Sequence, residues 1–314
     1  VARAAQRLVG ARSPVIICGG GVVIAGASGA LQELAESLKA AVCVTVSGQG
    51  SLADTHPLNA GVVGSNGGVM ATRDVVAAAD VVLFVGCRAG STSTEHWRFP
   101  NRDVPILHID IDPMVIGANY LTEVGMVGDA RLALQALGAE VRERLAHRPS
   151  DAADGAVLAG RAKAARRAQL EPLASSLDAP IRPERVVQSL NRLLPDDAVV
   201  CADPGTPCPY FSAYYDVSRP GRHFITNRAH GALGFSMSAA LGAWVGRANA
   251  KCVSVMGDGS FGFTVGELET IVRHKAPLLM VVFSNSVYGW IKASQKAGYD
   301  RRYYSVDFDR TDHA

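Results

Sequence analysis

The chain has 314 residues, enough for about two domains of ordinary size. Hydrophobic residues make up 48% and charged residues 19%, which fits packed α/β cores and excludes an intrinsically disordered chain. A formal net charge of +2 offers no electrostatic case for nucleic acid or an anionic membrane surface, and no run of about 18 uninterrupted apolar residues predicts a membrane span.

In chain order, "SPVIICGGGVV" (13–23) reads as a strand running into three glycines, and "SGALQELAESLKA" (28–40) follows with helical periodicity. "AVCVTV" (41–46), "ADVVLFVGC" (79–87) and "VPILHIDID" (104–112) are short apolar runs rich in Val and Ile, the pattern of buried strands. "GDARLALQALGAEVRERLAHR" (128–148) is a long amphipathic helix. Residues 148–181 are rich in Ala, Arg and Asp and carry no strand signal, so a linker with one helix is expected. Behind Pro183, "RPERVVQSLNRLL" restarts helical periodicity.

A second series follows. "DAVVCAD" (197–203) is a strand and "GALGFSMSAALGAWVG" (231–246) a Gly/Ala-rich helix. "KCVSVMGDG" (251–259) is a strand, "TVGELETIVRHK" (264–275) a helix and "PLLMVVFSN" (277–285) a strand. Alternation of strands and helices implies βαβ units. The expected fold class is therefore α/β: two Rossmann-like domains with parallel sheets flanked by helices, at 1–147 and 182–314, joined by the linker 148–181. Six cysteines (18, 43, 87, 201, 208, 252) form no CxxC pair, and reduced, buried thiols in a cytoplasmic protein are expected.

The chemistry concentrates at two strand ends. Asp258 sits between Gly257 and Gly259 where one strand stops, and Asn285 ends the next strand about 25 residues on. In a parallel βαβ unit both ends face one edge, so the two side chains can converge. Two hard oxygen ligands completed by a backbone carbonyl and phosphate oxygens suit Mg²⁺. Gly259 and Ser260 then offer N–H groups near a helix start to a diphosphate. Taken alone, a GDG triplet is an ordinary turn; the order strand, GDG, helix, strand, Asn is what lifts it above one.

Here the sequence resembles the thiamine-diphosphate-dependent enzymes of the acetohydroxyacid (acetolactate) synthase and pyruvate oxidase type. Their GDG–NN motif stands as "GDGSF…FSNSVYGW", with Ser284 at the first Asn and Asn285 at the second. The resemblance implies thiamine diphosphate and Mg²⁺ as cofactors. Asp258, Asn285 and the carbonyl of Val287 would be the metal ligands, and Gly257, Gly259, Ser260, Tyr288 and Gly289 would lie beside the diphosphate. "FITNRAHGALGFSMSAALGA" resembles the segment that grips the aminopyrimidine. It implies a carbonyl acceptor at Gly231, then Ala232, and Leu233 as the apolar prop that bends the cofactor until its amino group reaches the thiazolium C2–H. "VVCADPGTPCPYFSAYY" resembles a third segment and places Gly205 and Thr206 at the cofactor, with Thr206 and Pro207 where Gln and His are frequent. Cys208, beside them, is either a packed thiol or a reactive one.

"GQGSLADTHPLNAGVVG" and "ILHIDIDPMVIGANY" resemble the central domain of the same enzymes, so the likeness runs along nearly the whole chain. An FAD in that domain is disfavoured, because "CRAGSTSTEHW" keeps Arg88 and lacks the acidic pair of the flavin-binding relatives. Glycines 19–21 then read as a tight turn. Trp290, Ile291 and Ser294 fall at substrate-pocket positions, and Ser294 replaces a Trp that favours a larger acceptor ketoacid. His230 is the candidate catalytic side chain to test, beside its alternative as a surface or capping histidine.

The family's activating glutamate belongs to a separate pyrimidine-binding domain supplied by the partner subunit. The resemblance therefore implies a fragment, starting at the helix that enters the central domain, lacking that domain and most of a C-terminal lid, inactive alone. The implied whole is a homodimer or homotetramer with its active site at the subunit interface, acting on a small 2-oxo acid by decarboxylation and acyl transfer. A simple 2-oxo acid decarboxylase and a sulfoacetaldehyde- or oxalyl-CoA-type lyase remain as alternatives. So does a different class, a non-catalytic nucleotide-binding or regulatory paralogue. Binding to nucleic acid or membrane is not expected.

Overall fold

The structure, a computed structural model, describes residues 1–147, 152–227, 230–247 and 250–313. It divides into two compact units. Unit 1 comprises Val1–Leu173 with Asp216–Arg222, and unit 2 comprises Ala174–Tyr215 with His223–Ala314.

Unit 1 is built on six parallel strands: β1 (Pro14–Cys18), β2 (Ala41–Val44), β3 (Asn59–Val62), β4 (Val81–Val85), β5 (Ile106–Asp110) and β6 (Thr122–Val127). They lie in the order β3-β2-β1-β4-β5-β6, the doubly wound arrangement whose direction reverses between β1 and β4. Every residue of β1 to β5 is buried, as expected of strands covered on both faces, and only the edge strand β6 alternates. The helices are α1 (Ala2–Val9), α2 (Gly20–Ile24), α3 (Ser28–Leu38), α4 (Met70–Ala77), α5 (Ala130–His147) and α6 (Gly155–Ala174).

Helix α5 buries Leu134, Leu137, Gly138 and Val141, spaced i, i+3, i+4, i+7, and packs on α1 and α3. Each of its large buried side chains contributes about 1.5–3 kcal/mol, and Leu137→Ala costs roughly 2–5 kcal/mol because a cavity is added to the lost transfer energy. Helix α6 occupies much of the segment read as a linker, whose residues 148–151 lie outside the described ones. It is not a loose tether: Ala159 and Ala162 enter the core against β1, β2 and β4. Lys163 Nζ donates to the His56 carbonyl (2.6 Å), and Arg166 pairs with Asp216 (2.5 Å). Asp54, half-buried, is the centre of this corner. It accepts from Val217 N (2.7 Å) and Asn59 Nδ2 (3.0 Å), and burial pushes its pKa up to about 6 against the pull of Arg166.

Unit 2 carries four parallel strands, β7 (Val199–Ala202), β8 (Phe224–Ile225), β9 (Cys252–Gly257) and β10 (Leu279–Phe283), ordered β10-β9-β7-β8. Its helices are α7 (Pro183–Leu193), α8 (Pro207–Tyr214), α9 (Phe235–Gly246), α10 (Asp258–Thr264), α11 (Glu267–Arg273) and α12 (Gly289–Gly298). Helix α9 is the hub. Ala240 packs with Val199, Cys201 and Cys252, and Met237 packs with Met256 and Ile271. Small residues on α9 let it lie close to β7 and β9. It starts at Phe235, four residues later than its composition suggests, because Gly234 adopts a left-handed φ of 85° and ends the preceding loop.

All six cysteines are free and buried. Desolvation pushes Cys43 and Cys201 up to about 12 and Cys87 up to about 11, so these thiols are packing groups. Among the described residues no helix is long and apolar enough to cross a membrane.

Candidate functional site

The register of β9 on β10 pairs Met256 with Val282 and Gly257 with Phe283, so both strands end at the same edge. Asp258 follows immediately as the first residue of α10 and is only 4% exposed. Its Oδ2 accepts from Asn285 N (2.8 Å) and Ser286 N (2.6 Å), 27 and 28 residues downstream. Two consecutive N–H groups can converge on one oxygen because Ser286 adopts a left-handed φ of 55° and turns the chain there. Asp258 and Asn285 thus meet at one edge, joined by the Asn285 backbone N–H rather than by a contact between their side chains.

Oδ1 of Asp258 accepts only from Gly259 N (2.8 Å) among the described residues, which leaves that oxygen a lone pair for a cation. The Gly259 N–H, expected to face a diphosphate, is taken up locally by this bond. Asn285 is exposed, and its Oδ1 accepts from Val287 N (3.3 Å). Residues 286–288 are held by 306–308: Tyr288 N donates to Val306 O (2.9 Å), Phe308 N donates to Ser286 O (3.1 Å), and Val287 bridges to Asp307.

The glycines show which loops meet. A Cβ built on Gly259 would lie 2.4 Å from the Tyr288 ring, so the ring rests directly on that backbone. One on Gly289 would lie 2.7 Å from Thr206 Oγ1 and 3.8 Å from Asn285 Nδ2. One on Gly205 would lie 3.5 Å from Leu233 Cδ2 and 4.0 Å from Ser260 Oγ. Gly205, Thr206, Leu233, Gly257, Asp258, Gly259, Ser260, Asn285, Val287, Tyr288 and Gly289 therefore form one neighbourhood at the carboxyl edge of the sheet. Among the described residues, a Cβ on Gly257 or Gly231 would meet nothing within 4 Å, so the neighbourhood has an open floor there. Ala232 and His230 are exposed beside it, and residues 228 and 229 lie outside the described ones. Trp290, Ile291 and Ser294 are exposed on α12, which buries none of its residues in this chain. Cys208 is buried against Ser212 Oγ (3.5 Å) and Thr226 Oγ1 (3.8 Å), the packed alternative of its two readings.

Asp203, Ser236 and Ser254 also belong here; Asp203 opens the segment that resembles D-V-G-Q-H, while Ser236 and Ser254 were not singled out by any motif. Asp203 ends β7 fully buried, and its Oδ2 accepts from Ser236 Oγ (2.9 Å). Ser236 Oγ in turn accepts from Ser254 Oγ (2.9 Å). Burial raises the Asp203 pKa, opposed by Ser236 Oγ and the amides of Ser236, Phe235 and Gly234, although Oδ1 lies outside good hydrogen-bond geometry to them. The sequence signals for Asp203 were an acid directly after a strand and its place at the head of the segment resembling the family's third motif; none pointed to Ser236 or Ser254.

Two family models match the chain: "Thiamine pyrophosphate enzyme, central domain" over residues 1–137, and "Thiamine pyrophosphate enzyme, C-terminal TPP binding domain" over residues 203–314. The chain belongs to the thiamine pyrophosphate enzymes. The second match contains the whole neighbourhood just described. Among relatives in this family, a probable acetolactate synthase large subunit of Methanocaldococcus jannaschii is 32% identical over 98% of this chain and 51% of its own length. A sulfoacetaldehyde acetyltransferase of Roseovarius nubinhibens is 30% identical over 98% and 53%. A probable 2-ketoarginine decarboxylase of Pseudomonas aeruginosa is 33% identical over 92% and 49%. The chain thus spans about half the length of the curated relatives it matches.

Proposed function

We propose that unit 2 supplies the diphosphate- and Mg²⁺-binding half of an enzyme that decarboxylates a small 2-oxo acid and transfers the acyl fragment, as acetolactate synthases do. The supporting observation is the junction of Asp258 with the Asn285–Ser286 backbone, which holds a carboxylate and an amide side chain together beside an open glycine floor. The donor set fits a hard cation: Asp258 Oδ1, the Asn285 side-chain oxygen and the Val287 carbonyl are all oxygens. The open Gly257 surface leaves room for the diphosphate the cation would bridge. Thiamine diphosphate, when bound, supplies the thiazolium that stores the electron pair released by decarboxylation.

This chain's own residues bind and orient. Asp258 and Asn285 fix the metal, and Gly205, Thr206 and Ser260 line the diphosphate. Leu233, against Gly205, is the apolar prop for the bent cofactor. Proton activation belongs to a glutamate on a pyrimidine-binding domain, so the 314 residues alone bind the cofactor weakly and turn nothing over. The assembly is a homodimer or homotetramer with the site at a subunit interface. Six free, buried thiols fit a cytoplasmic location. Unit 1 serves as a structural domain without FAD, supported by the packing of its strand-end glycines against protein backbone.

Titration of the full-length protein with thiamine diphosphate and Mg²⁺, followed by tryptophan fluorescence and circular dichroism, tests this reading. Saturable Mg²⁺-dependent binding, weakened at least 100-fold in Asp258→Ala, is expected; binding without Mg²⁺, or unchanged in the variant, sinks it. The simple decarboxylase is the second reading, favoured by Ser294 in place of the acceptor-pocket Trp and by Thr206–Pro207. A panel of 2-oxo acids with and without an acceptor ketoacid separates the two by whether a carboligation product forms.

A further inference from the structure

We infer that Asp203, Ser236 and Ser254 act as one positioning device that sets the spacing of the three segments of the cofactor site. The reasoning rests on the assignment of unit 2 to thiamine diphosphate and Mg²⁺. The site is made from three strand or helix ends: Gly205 and Thr206 follow β7, Leu233 precedes α9, and Asp258 follows β9. Sheet hydrogen bonds fix β7 against β9, with Val199 paired to Cys252 and Ala202 to Val255. They place nothing on α9, which packs on the sheet through apolar side chains and whose start is held by Thr264 Oγ1 donating to Gly234 O (3.2 Å).

The polar chain ties α9 to both strands. Ser254, in the middle of β9, donates to Ser236 on the first turn of α9, and Ser236 donates to Asp203 at the end of β7. All three residues are fully buried, where a misplaced hydroxyl or carboxylate would lose its partner and be costly. Asp203 N also donates to Val255 O (2.9 Å), tying its backbone to β9. The carboxylate faces the amino-terminal amides of the twelve-residue α9, where a negative charge is favourable. One turn of drift in α9 would carry Leu233 off Gly205, where the two stand at van der Waals distance. None of the three side chains needs to touch the cofactor, so they are positioning residues.

The test uses the full-length protein, with Asp203→Asn, Ser236→Ala, Ser254→Ala and the double variant Asp203→Asn/Ser254→Ala. Thiamine diphosphate with Mg²⁺ is the probe, and thermal melting is recorded without cofactor. The expected result is a roughly tenfold weaker Kd in each single variant at saturating Mg²⁺. The double variant should be no weaker than the worse single one, because a broken chain cannot be broken twice. Ser254→Ala, the most remote from the site, keeps the test open should Asp203→Asn fail to fold. Variants that melt lower yet bind with the wild-type Kd, or losses that simply multiply, overturn the positioning role. If the unmutated protein itself shows no Mg²⁺-dependent binding, the cofactor assignment has failed; if it binds and the variants bind equally, only the positioning role has.

Discussion

The two units use the glycines at their strand ends differently. In unit 1, Cβ atoms on Gly19, Gly20 and Gly48 would fall 2.1 Å from Gly86 O, 3.2 Å from Ser47 O and 2.2 Å from Cys18 O, and one on Gly21 would fall 2.7 Å from Gly86 Cα. Backbone there packs on backbone across the point where the sheet reverses direction, the place where doubly wound folds commonly hold a ligand. In unit 2, a Cβ on Gly257 or Gly231 would meet nothing within 4 Å among the described residues, and one on Gly205 would reach Leu233 and Ser260. Glycine in the first unit admits another part of the protein; in the second the use is mixed, with Gly259 filled by the Tyr288 ring and Gly289 by Thr206, and Gly257 and Gly231 leaving a surface for something else. A glycine-rich strand end is therefore no evidence of a nucleotide until the space above it is known.

The sharpest way to break this comparison is Gly19→Ala. Its Cβ has nowhere to go but into the Gly86 carbonyl, and a loss of about 3 kcal/mol in urea denaturation is expected. A stability unchanged within experimental error would show that the edge of unit 1 is looser than its packing implies.

Two aspartates extend the contrast: Asp54 is half-buried among its own charged partners in unit 1, while Asp258 is buried at the strand edge of unit 2. Asp54 holds its proton more tightly folded, at about 6, than unfolded, at 3.8. Its favourable contribution is fully present below about pH 4 and is lost as pH rises through 6. Asp54→Asn, which stays neutral, should match the wild type near pH 4 and exceed it by roughly 2 kcal/mol at pH 8. Arg166, Lys163 and Asp216 face the same group and set the size of the difference. Denaturation curves of both proteins at the two pH values check the sign. A variant less stable at pH 8 would mean that the charged form is the one the fold wants.

The smallest effect is the mirror of the first. Gly257→Ala has room in the protein, so the melting temperature should hold while the Kd for thiamine diphosphate with Mg²⁺ rises about tenfold, or about 1.4 kcal/mol. Calorimetry of the two proteins decides it, and unchanged affinity would mean the floor beside Asp258 is not where the diphosphate lies.

Much of this was legible along the chain. Apolar runs marked β1, β2, β4, β5, β7, β9 and β10, and the strand–GDG–helix–strand–Asn order placed Asp258 and Asn285 at one edge. Strands β3 and β6 were not legible: "NAGV" contains a glycine and "TEVGMV" half-faces solvent, so neither shows an apolar run. One helix was expected within the linker, but not that it packs into the core of unit 1, because its buried face is made of alanines.

Local sequence thus determined which residues could end a strand, turn a chain or ligate a cation, since those capacities belong to single side chains and short spacings. Only the tertiary structure decided which glycines are free and which are filled, and which buried acids meet a partner. Those are questions of what lies within 4 Å from a distant part of the chain. Asp203 shows the limit most plainly: its side-chain partner Ser236 is 33 residues away on a helix, and the donor to that partner, Ser254, is 51 residues away on a strand, both brought to it only by the packed sheet.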